Sequence, residues 1–474
     1  VVSAITLVDA AWLSVASAKP TSGSPLGTAG IVLFFFVVMA VTGTMMASPK
    51  DRAWLPAVVI GGYIAKLLGS TARYLVLEIA YNGKGDAVGY HGAGLELSAV
   101  WRSFQVPSSV ERIGTDVLEA ITGLLYVPYQ PSMLGGFFIF ASVSFFGQLL
   151  LYAAFRHSFA ARHLKWYAGL IFFWPTMVYW PSSIGKEAMM ILWIGVTAYG
   201  VARLLKSYHP GWVAVIVIGL VGGGIIRVHM SLLLAGSLVV ALLVGKAPAV
   251  KGARFRRIAL LGTAAIGLVF VAVFTAADFG VDLTAVASAE AATDEVGNVL
   301  SGVADQTDKG GSAVEGGAVT SPLDLPEAIL RVLFRPLPNE ATTFLLLASS
   351  VEGTLLLAVF LFRLPRILRN LFRSRRTPYA IFAFVYTGGF IIAFSAILNL
   401  GILARQRSQV IPFFLALLVV WGSKHAEEED EEPLSVPKGQ PRPREVATAS
   451  SGHQAGLTLV DSGSQPVGSS PRRR

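Results

Sequence analysis

The chain has 474 residues, of which 54% are hydrophobic and 14% charged, and its mean hydropathy is +0.62. This excludes a soluble globular enzyme and predicts an all-α, polytopic transmembrane helical bundle. Cysteine is absent, so disulfides and thiolate metal sites are excluded, and the formal charge of +9 does not point to nucleic acid, because Lys and Arg gather in short loops between apolar runs, the pattern of a cytoplasmic membrane face.

Residues 1–25 are an uncertain N-terminal segment, with Ile5 to Ala18 weakly apolar, interrupted by Asp9 and short for a crossing. The first span is expected over Leu26 to Ala47 and the second over Trp54 to Ile79, with Lys50, Asp51 and Arg52 between them on the inside. A polar stretch over residues 81–131 is then an external loop, holding Asp86 and His91 among glycines. The third span, Met133 to Phe155, ends in the basic cluster Arg156 to Lys165, and a fourth begins near Trp166.

The nearly uncharged run from Trp166 to Val201 is too long for one crossing of ~20 residues and suits two. Its interruption, Trp180-Pro181-Ser182-Ser183-Ile184-Gly185-Lys186-Glu187, therefore sits at a membrane surface. Pro181 stops one helix, the hydroxyls of Ser182 and Ser183 are expected to cap the next, and Lys186 stands beside the free N–H groups, which together make an anion site.

The fifth span closes on Arg203 and Lys206, and the sixth runs from Trp212 through Gly222-Gly223-Gly224 to Arg227-Val228-His229. The seventh ends at Lys246 and its basic neighbours, and Ile258 to Ala277 form the eighth. Residues 278–341 make a long external loop, net acidic and expected to be mobile in its middle, with an interfacial helix over Leu323 to Phe334 leading into Arg335-Pro336-Leu337-Pro338-Asn339-Glu340. The ninth span, Thr342 to Phe362, carries Glu352 and closes on an arginine-rich cluster; Tyr379 to Leu398 and Val410 to Trp421 are the tenth and eleventh, with Arg405 and Arg407 between them. Residues 423–474 read as a disordered cytoplasmic tail. The count is about eleven spans, or twelve if residues 1–25 add one, making 26–422 the transmembrane catalytic domain.

Alternation sorts the polar groups by face. Asp86, His91, Lys186, Glu187, Arg227, His229, Arg335, Glu340, Arg405 and Arg407 all fall outside, where the positive-inside tendency acts against arginine. Guanidinium groups, a lysine and a helix start match a diphosphate, and Asp86, His91 or Glu187 is placed to take a proton from an attacking hydroxyl. That combination describes transfer of a sugar from a lipid (di)phosphate to another hydroxyl, with the cations stabilising the departing charge and no metal or cofactor required. Each group also has an ordinary reading: Lys186-Glu187 as an interfacial ion pair, Asp86 and His91 as loop polars, Arg227, His229, Arg405 and Arg407 as headgroup contacts, and Glu352 as a helix–helix hydrogen-bonding group. Convergence of five segments on one face favours the site.

Gly85-Asp86-Ala87 with Tyr90-His91, Trp174-Pro175 through Glu187, Ile226-Arg227-Val228-His229, Arg335 to Glu340, and Ala404-Arg405-Gln406-Arg407 stand in an order that resembles bacterial Wzy-like O-antigen and exopolysaccharide polymerases and related multi-spanning GT-C-type glycosyltransferases. The resemblance spans Trp54 to Trp421. It implies an undecaprenyl-diphosphate-linked oligosaccharide as substrate, joining of repeat units outside the cytoplasmic membrane of a bacterium, and Arg227, Arg405 and Arg407 as diphosphate ligands. Membrane lipids and other polysaccharide-assembly proteins are the remaining partners it suggests. A GT-C transferase using a polyprenyl-monophosphate sugar is the alternative enzyme. A flippase for the same lipids is the alternative from another class, which would show polar groups on both faces and internal symmetry.

Overall fold

The computed structural model describes residues 25–105, 114–245, 319, 321–373 and 377–421, all within the unit Val1–Glu431. The expectations for residues 1–24, for the eighth span, for most of the 278–341 loop and for the 423–474 tail lie outside the described residues.

Every described element is helical, as the composition requires. In chain order they are α1 Pro25–Met46, α2 Leu55–Leu75 with a π-helical turn Val76–Ala80, α3 Asp86–Arg102, α4 Asp116–Leu125, α5 Met133–Ser158, α6 Leu164–Phe173, α7 Pro175–Tyr179, α8 Lys186–Lys206, α9 Pro210–Gly224, α10 Val228–Val244, α11 Leu325–Phe334, α12 Phe344–Arg373, α13 Pro378–Phe394, α14 Leu400–Gln406 and α15 Ile411–Trp421. Five of these helical stretches (α1, α2 with its π turn, α5, α8 and α12) are long and apolar enough to cross a membrane. A sixth results if residues 400–409 and α15, bent by 64° at their junction, form one span, while α9, α10 and α13 are apolar but shorter. The chain is an integral membrane protein by this pattern.

The centre is the α5–α8 pair. Ser132 caps α5 by accepting a hydrogen bond from the Gly135 N–H at 3.1 Å, and Arg156 and His157 occupy its last turn, where cations suit the helix dipole. Most of α5 is buried. Its backbone meets that of α8 at Gly147 and Gly195: a Cβ on Gly147 would lie 2.4 Å from the Ile191 carbonyl oxygen, and one on Gly195 would lie 2.4 Å from that of Gly147. Small residues let the two helices approach to dispersion contact, the main attraction available between apolar helices in lipid.

Two sequence expectations change. Residues 81–131 are not a loop throughout but hold the α3–α4 helical hairpin, in which Trp101 Nε1 donates to the Ala120 carbonyl and Arg102 Nε to that of Val127. Asp86 is thus the first residue of a helix rather than part of a flexible loop. The expected fourth span is broken into α6 and α7 at Trp174-Pro175.

The break is a direct consequence of two prolines. In a continuous helix the Ile171 carbonyl would accept from residue 175 and the Met177 carbonyl from residue 181, but Pro175 and Pro181 have no N–H to give. Buried side chains replace them: Gln148 Nε2 donates to the Ile171 carbonyl at 3.0 Å, and Lys66 Nζ, on a side chain with no solvent exposure, donates to the Met177 carbonyl at 2.6 Å. On the other strand of the kink Glu352 Oε1 accepts from the Thr176 N–H at 3.2 Å. Glu352 is therefore a helix–helix hydrogen-bonding group, as one of its sequence readings held, and its partner is backbone. Irregular backbone buried within the bundle is tolerated because α2, α5 and α12 each supply one polar group to it.

Candidate functional site

The Trp180–Glu187 stretch emerges from this break, its start pinned where Ser144 Oγ donates to the Pro181 carbonyl at 2.6 Å. The hydroxyls do not cap α8, because the residue preceding it is Gly185 and no side chain bonds the helix start. Ser182 Oγ instead donates back to the Val178 carbonyl at 2.5 Å, and Ser183 Oγ accepts from Arg73 Nε at 3.4 Å. Ser182 is turned into its own helical turn, away from the role expected of it.

The stretch forms one wall of a cavity of ≈ 890 Å³. The ends of α2, α3, α8, α10, α12 and α14 meet there, bringing Asp86, Lys186, Glu187, Arg227, His229 and Arg405 to a single space. These residues lie far apart in the chain and are brought together by the helix ends.

Within the cavity the charges have definite partners. Glu187, only 8% exposed at its side chain, receives Arg227 Nη2 on Oε1 at 2.8 Å, and Arg405 Nε lies 3.2 Å from the same oxygen. The Arg405 contact is an ion pair without hydrogen-bond geometry. Arg227 also donates through Nη1 to Gln406 Oε1, the oxygen to which Gln409 Nε2 donates. One carboxylate and one amide thus hold two guanidinium groups side by side. The alternative of Lys186 and Glu187 as each other's ion pair is set aside by this geometry, since Lys186 Nζ turns to Thr115 Oγ1 at 3.1 Å. Asp86 is the opposite kind of carboxylate: 75% exposed at its side chain, on the cavity wall, with Arg405 Nη1 at 3.9 Å.

Other expected residues are placed elsewhere. His91 is buried on α3 with Nδ1 hydrogen-bonded to the Tyr126 hydroxyl at 2.9 Å, and burial depresses its pKa to about 4, which keeps the ring neutral. It does not line the cavity. Arg407 is almost wholly buried behind the wall, donating through Nε to the Val332 carbonyl at 3.2 Å and through Nη2 to the Arg335 carbonyl. Its charge serves backbone oxygens at the end of α11, not the cavity. Arg335 and Glu340 pair with each other, Nε to Oε1 at 2.7 Å, and Glu340 also accepts from the Leu337 N–H at 2.8 Å. Partial burial would raise the Glu340 pKa, but these two hydrogen bonds and the Arg335 charge outweigh it and leave it lowered. The pair closes a proline-rich turn and does not line the cavity.

Arg73, Lys84 and Tyr90 are among the lining residues that were not singled out from sequence as site groups. Arg73 carried a signal. It stands seven residues after Lys66 in an otherwise apolar span, which puts both cations on one helical face. Lys66 secures the broken helix and Arg73, two turns on, reaches the cavity. Gln406 lies beside a motif that was noticed only for its arginines.

The arrangement can hold an anion between cations, orient a carboxylate for proton transfer, and admit an apolar chain along Leu345, Leu346 and Ile397, which share the wall. No family model, curated protein or solved structure matches the chain.

Proposed function

We propose that the chain is a membrane glycosyltransferase of the polysaccharide-polymerase type, joining polyprenyl-diphosphate-linked oligosaccharides at this cavity, on the external face of a bacterial cytoplasmic membrane. The observation that carries the reading is the meeting of Arg227, Arg405, Lys186 and an exposed Asp86 in one space at the ends of membrane helices. In the corresponding topology the apolar helices α9, α10 and α13 also cross.

The chemistry divides among these groups by their surroundings. Asp86 is the general base, because its carboxylate faces the cavity and can accept the proton of an acceptor hydroxyl. Glu187 is tied to two arginines and serves them, and His91 is occupied and off the cavity. As the glycosidic bond to the donor phosphate breaks, negative charge grows on the departing diphosphate. Arg227, Arg405 and Lys186 are already in place to stabilise it, without solvent having to reorganise.

Reconstitution separates this from transport. Purified protein in vesicles carrying a lipid-linked repeat unit is expected to yield a ladder of polymer on a gel. Movement of labelled lipid between leaflets with no new glycosidic bond would overturn the enzyme in favour of a flippase, and addition of one sugar from a polyprenyl monophosphate would replace the polymerase by a GT-C transferase.

A further inference from the structure

The cavity's charges are not evenly compensated. Both acidic side chains that line it, Asp86 and Glu187, lie against the Arg227–Arg405 pair. Arg73 and Lys84 line the same space, and among the described residues neither is ion-paired with a carboxylate. Of the arginines that line the cavity, Arg227 and Arg405 lie against carboxylates and Arg73 does not.

Arg73 is held as a ligand-binding guanidinium should be. Its Cζ lies 4.6 Å from the Trp180 ring centroid and 5.2 Å from that of Tyr179, and its Nε donates to Ser183 Oγ at 3.4 Å. Aromatic faces fix the plane of a guanidinium without neutralising its charge. Nε is spent on the serine, which leaves the paired Nη groups as a fork without an acidic partner. A planar, uncompensated fork, with a hydroxyl beside it and an exposed lysine lining the same cavity, matches the oxygens of a phosphate.

We propose that Arg73, braced by Tyr179, Trp180 and Ser183 and assisted by Lys84, is a phosphate-binding subsite for a lipid-linked phosphate, distinct in its partners from the Arg227–Glu187–Arg405 cluster. The proposal deepens the transferase reading and rests on it for the identity of the lipid. For a reaction joining two lipid-diphosphate substrates, a second cationic pole gives the second diphosphate a place that does not require breaking the Glu187 pairs.

The test is direct binding of undecaprenyl diphosphate, and of phosphatidylglycerol as competitor, to the full chain in neutral-lipid nanodiscs. Arg73→Gln is expected to weaken undecaprenyl diphosphate binding ~10- to 100-fold, the range for losing a charge-assisted hydrogen-bonding group. Arg73→Lys keeps the charge but loses the fork and should fall between. Lys84→Gln, on an exposed residue whose replacement cannot disturb packing, is expected to weaken binding several-fold and to reduce its salt dependence. Wild-type affinity in both Arg73→Gln and Lys84→Gln overturns the subsite, even if polymer still forms. If Arg73→Gln does not fold, wild-type affinity and salt dependence in Lys84→Gln overturn it alone. Arg73-dependent binding that phosphatidylglycerol displaces with equal strength supports a phosphate subsite and overturns its assignment to the transferase substrate.

Discussion

Two buried polar clusters in this protein use charge in opposite ways. Around the Trp174-Pro175 break, Lys66, Gln148 and Glu352 each meet a backbone group that the kink has orphaned, and Arg407 does the same for the Val332 and Arg335 carbonyls. At the cavity, side chains meet side chains and open space: Arg227 and Arg405 face Glu187, and Asp86 faces the void. The first cluster holds the chain in shape, its side chains turned to backbone groups. The second is held in shape by its own pairs and still presents charge to a ligand. An ionisable residue within a membrane protein is thus not by itself a mark of chemistry; its partner decides.

The difference predicts which variants lose activity and which lose the fold. Asp86→Asn should reduce polymer formation by about 10²–10⁴, the usual contribution of a general base, while thermal stability stays within roughly 0.5 kcal/mol because the side chain is exposed. Arg407→Met should do the reverse. Two buried carbonyls lose their donor, at a cost of about 2–5 kcal/mol seen as a lowered Tm and poor yield, and the protein that does fold should bind substrate normally.

Gly147→Val tests the packing that places both clusters. Its side chain would collide with the α8 backbone, where Ile191 lies 2.4 Å from even a first carbon, and a loss of about 1–3 kcal/mol is expected by thermal unfolding. The effect that is smallest at neutral pH, and grows only as the pH falls, is a pH dependence from His91. Its pKa is about 4 in the fold against 6.5 for a free histidine, so the unfolded chain takes up the proton first. The stability it contributes is complete above pH 6.5 and is lost as pH falls toward 4. His91→Gln should flatten that part of the stability profile.

These outcomes bear on what could be read in advance. Helix ends were legible where a proline or a charge cluster marks them, as at Pro181 shortly after α7 and at Arg203 and Lys206 in the last turn of α8. Asp86, Lys186, Glu187, Arg227 and Arg405 could be grouped in advance because each stands where an apolar run gives way to polar residues. Partners were not. The sequence places Arg405 and Arg407 together at one helix end, yet one lines the cavity and the other serves carbonyls of α11, because two residues apart on a helix face different ways. Ser182 and Ser183 had the composition of caps, but Gly185 took the position before the helix and left both hydroxyls to other bonds. The α3–α4 hairpin was hidden by its mixed composition, since its helices pair with each other and need no long apolar face. Proline-orphaned carbonyls were readable at Pro175 and Pro181, but which side chains would adopt them depends on packing between helices distant in sequence.

The most direct measurement is polymer formation from a purified lipid-linked repeat unit by wild type, Asp86→Asn and Arg405→Ala in parallel, each first shown to unfold at the wild-type temperature. A polymer ladder from wild type, nearly abolished by Asp86→Asn and strongly reduced by Arg405→Ala, is the predicted result. Ladders of equal intensity from all three would contradict the assignment of this cavity as the site of transfer.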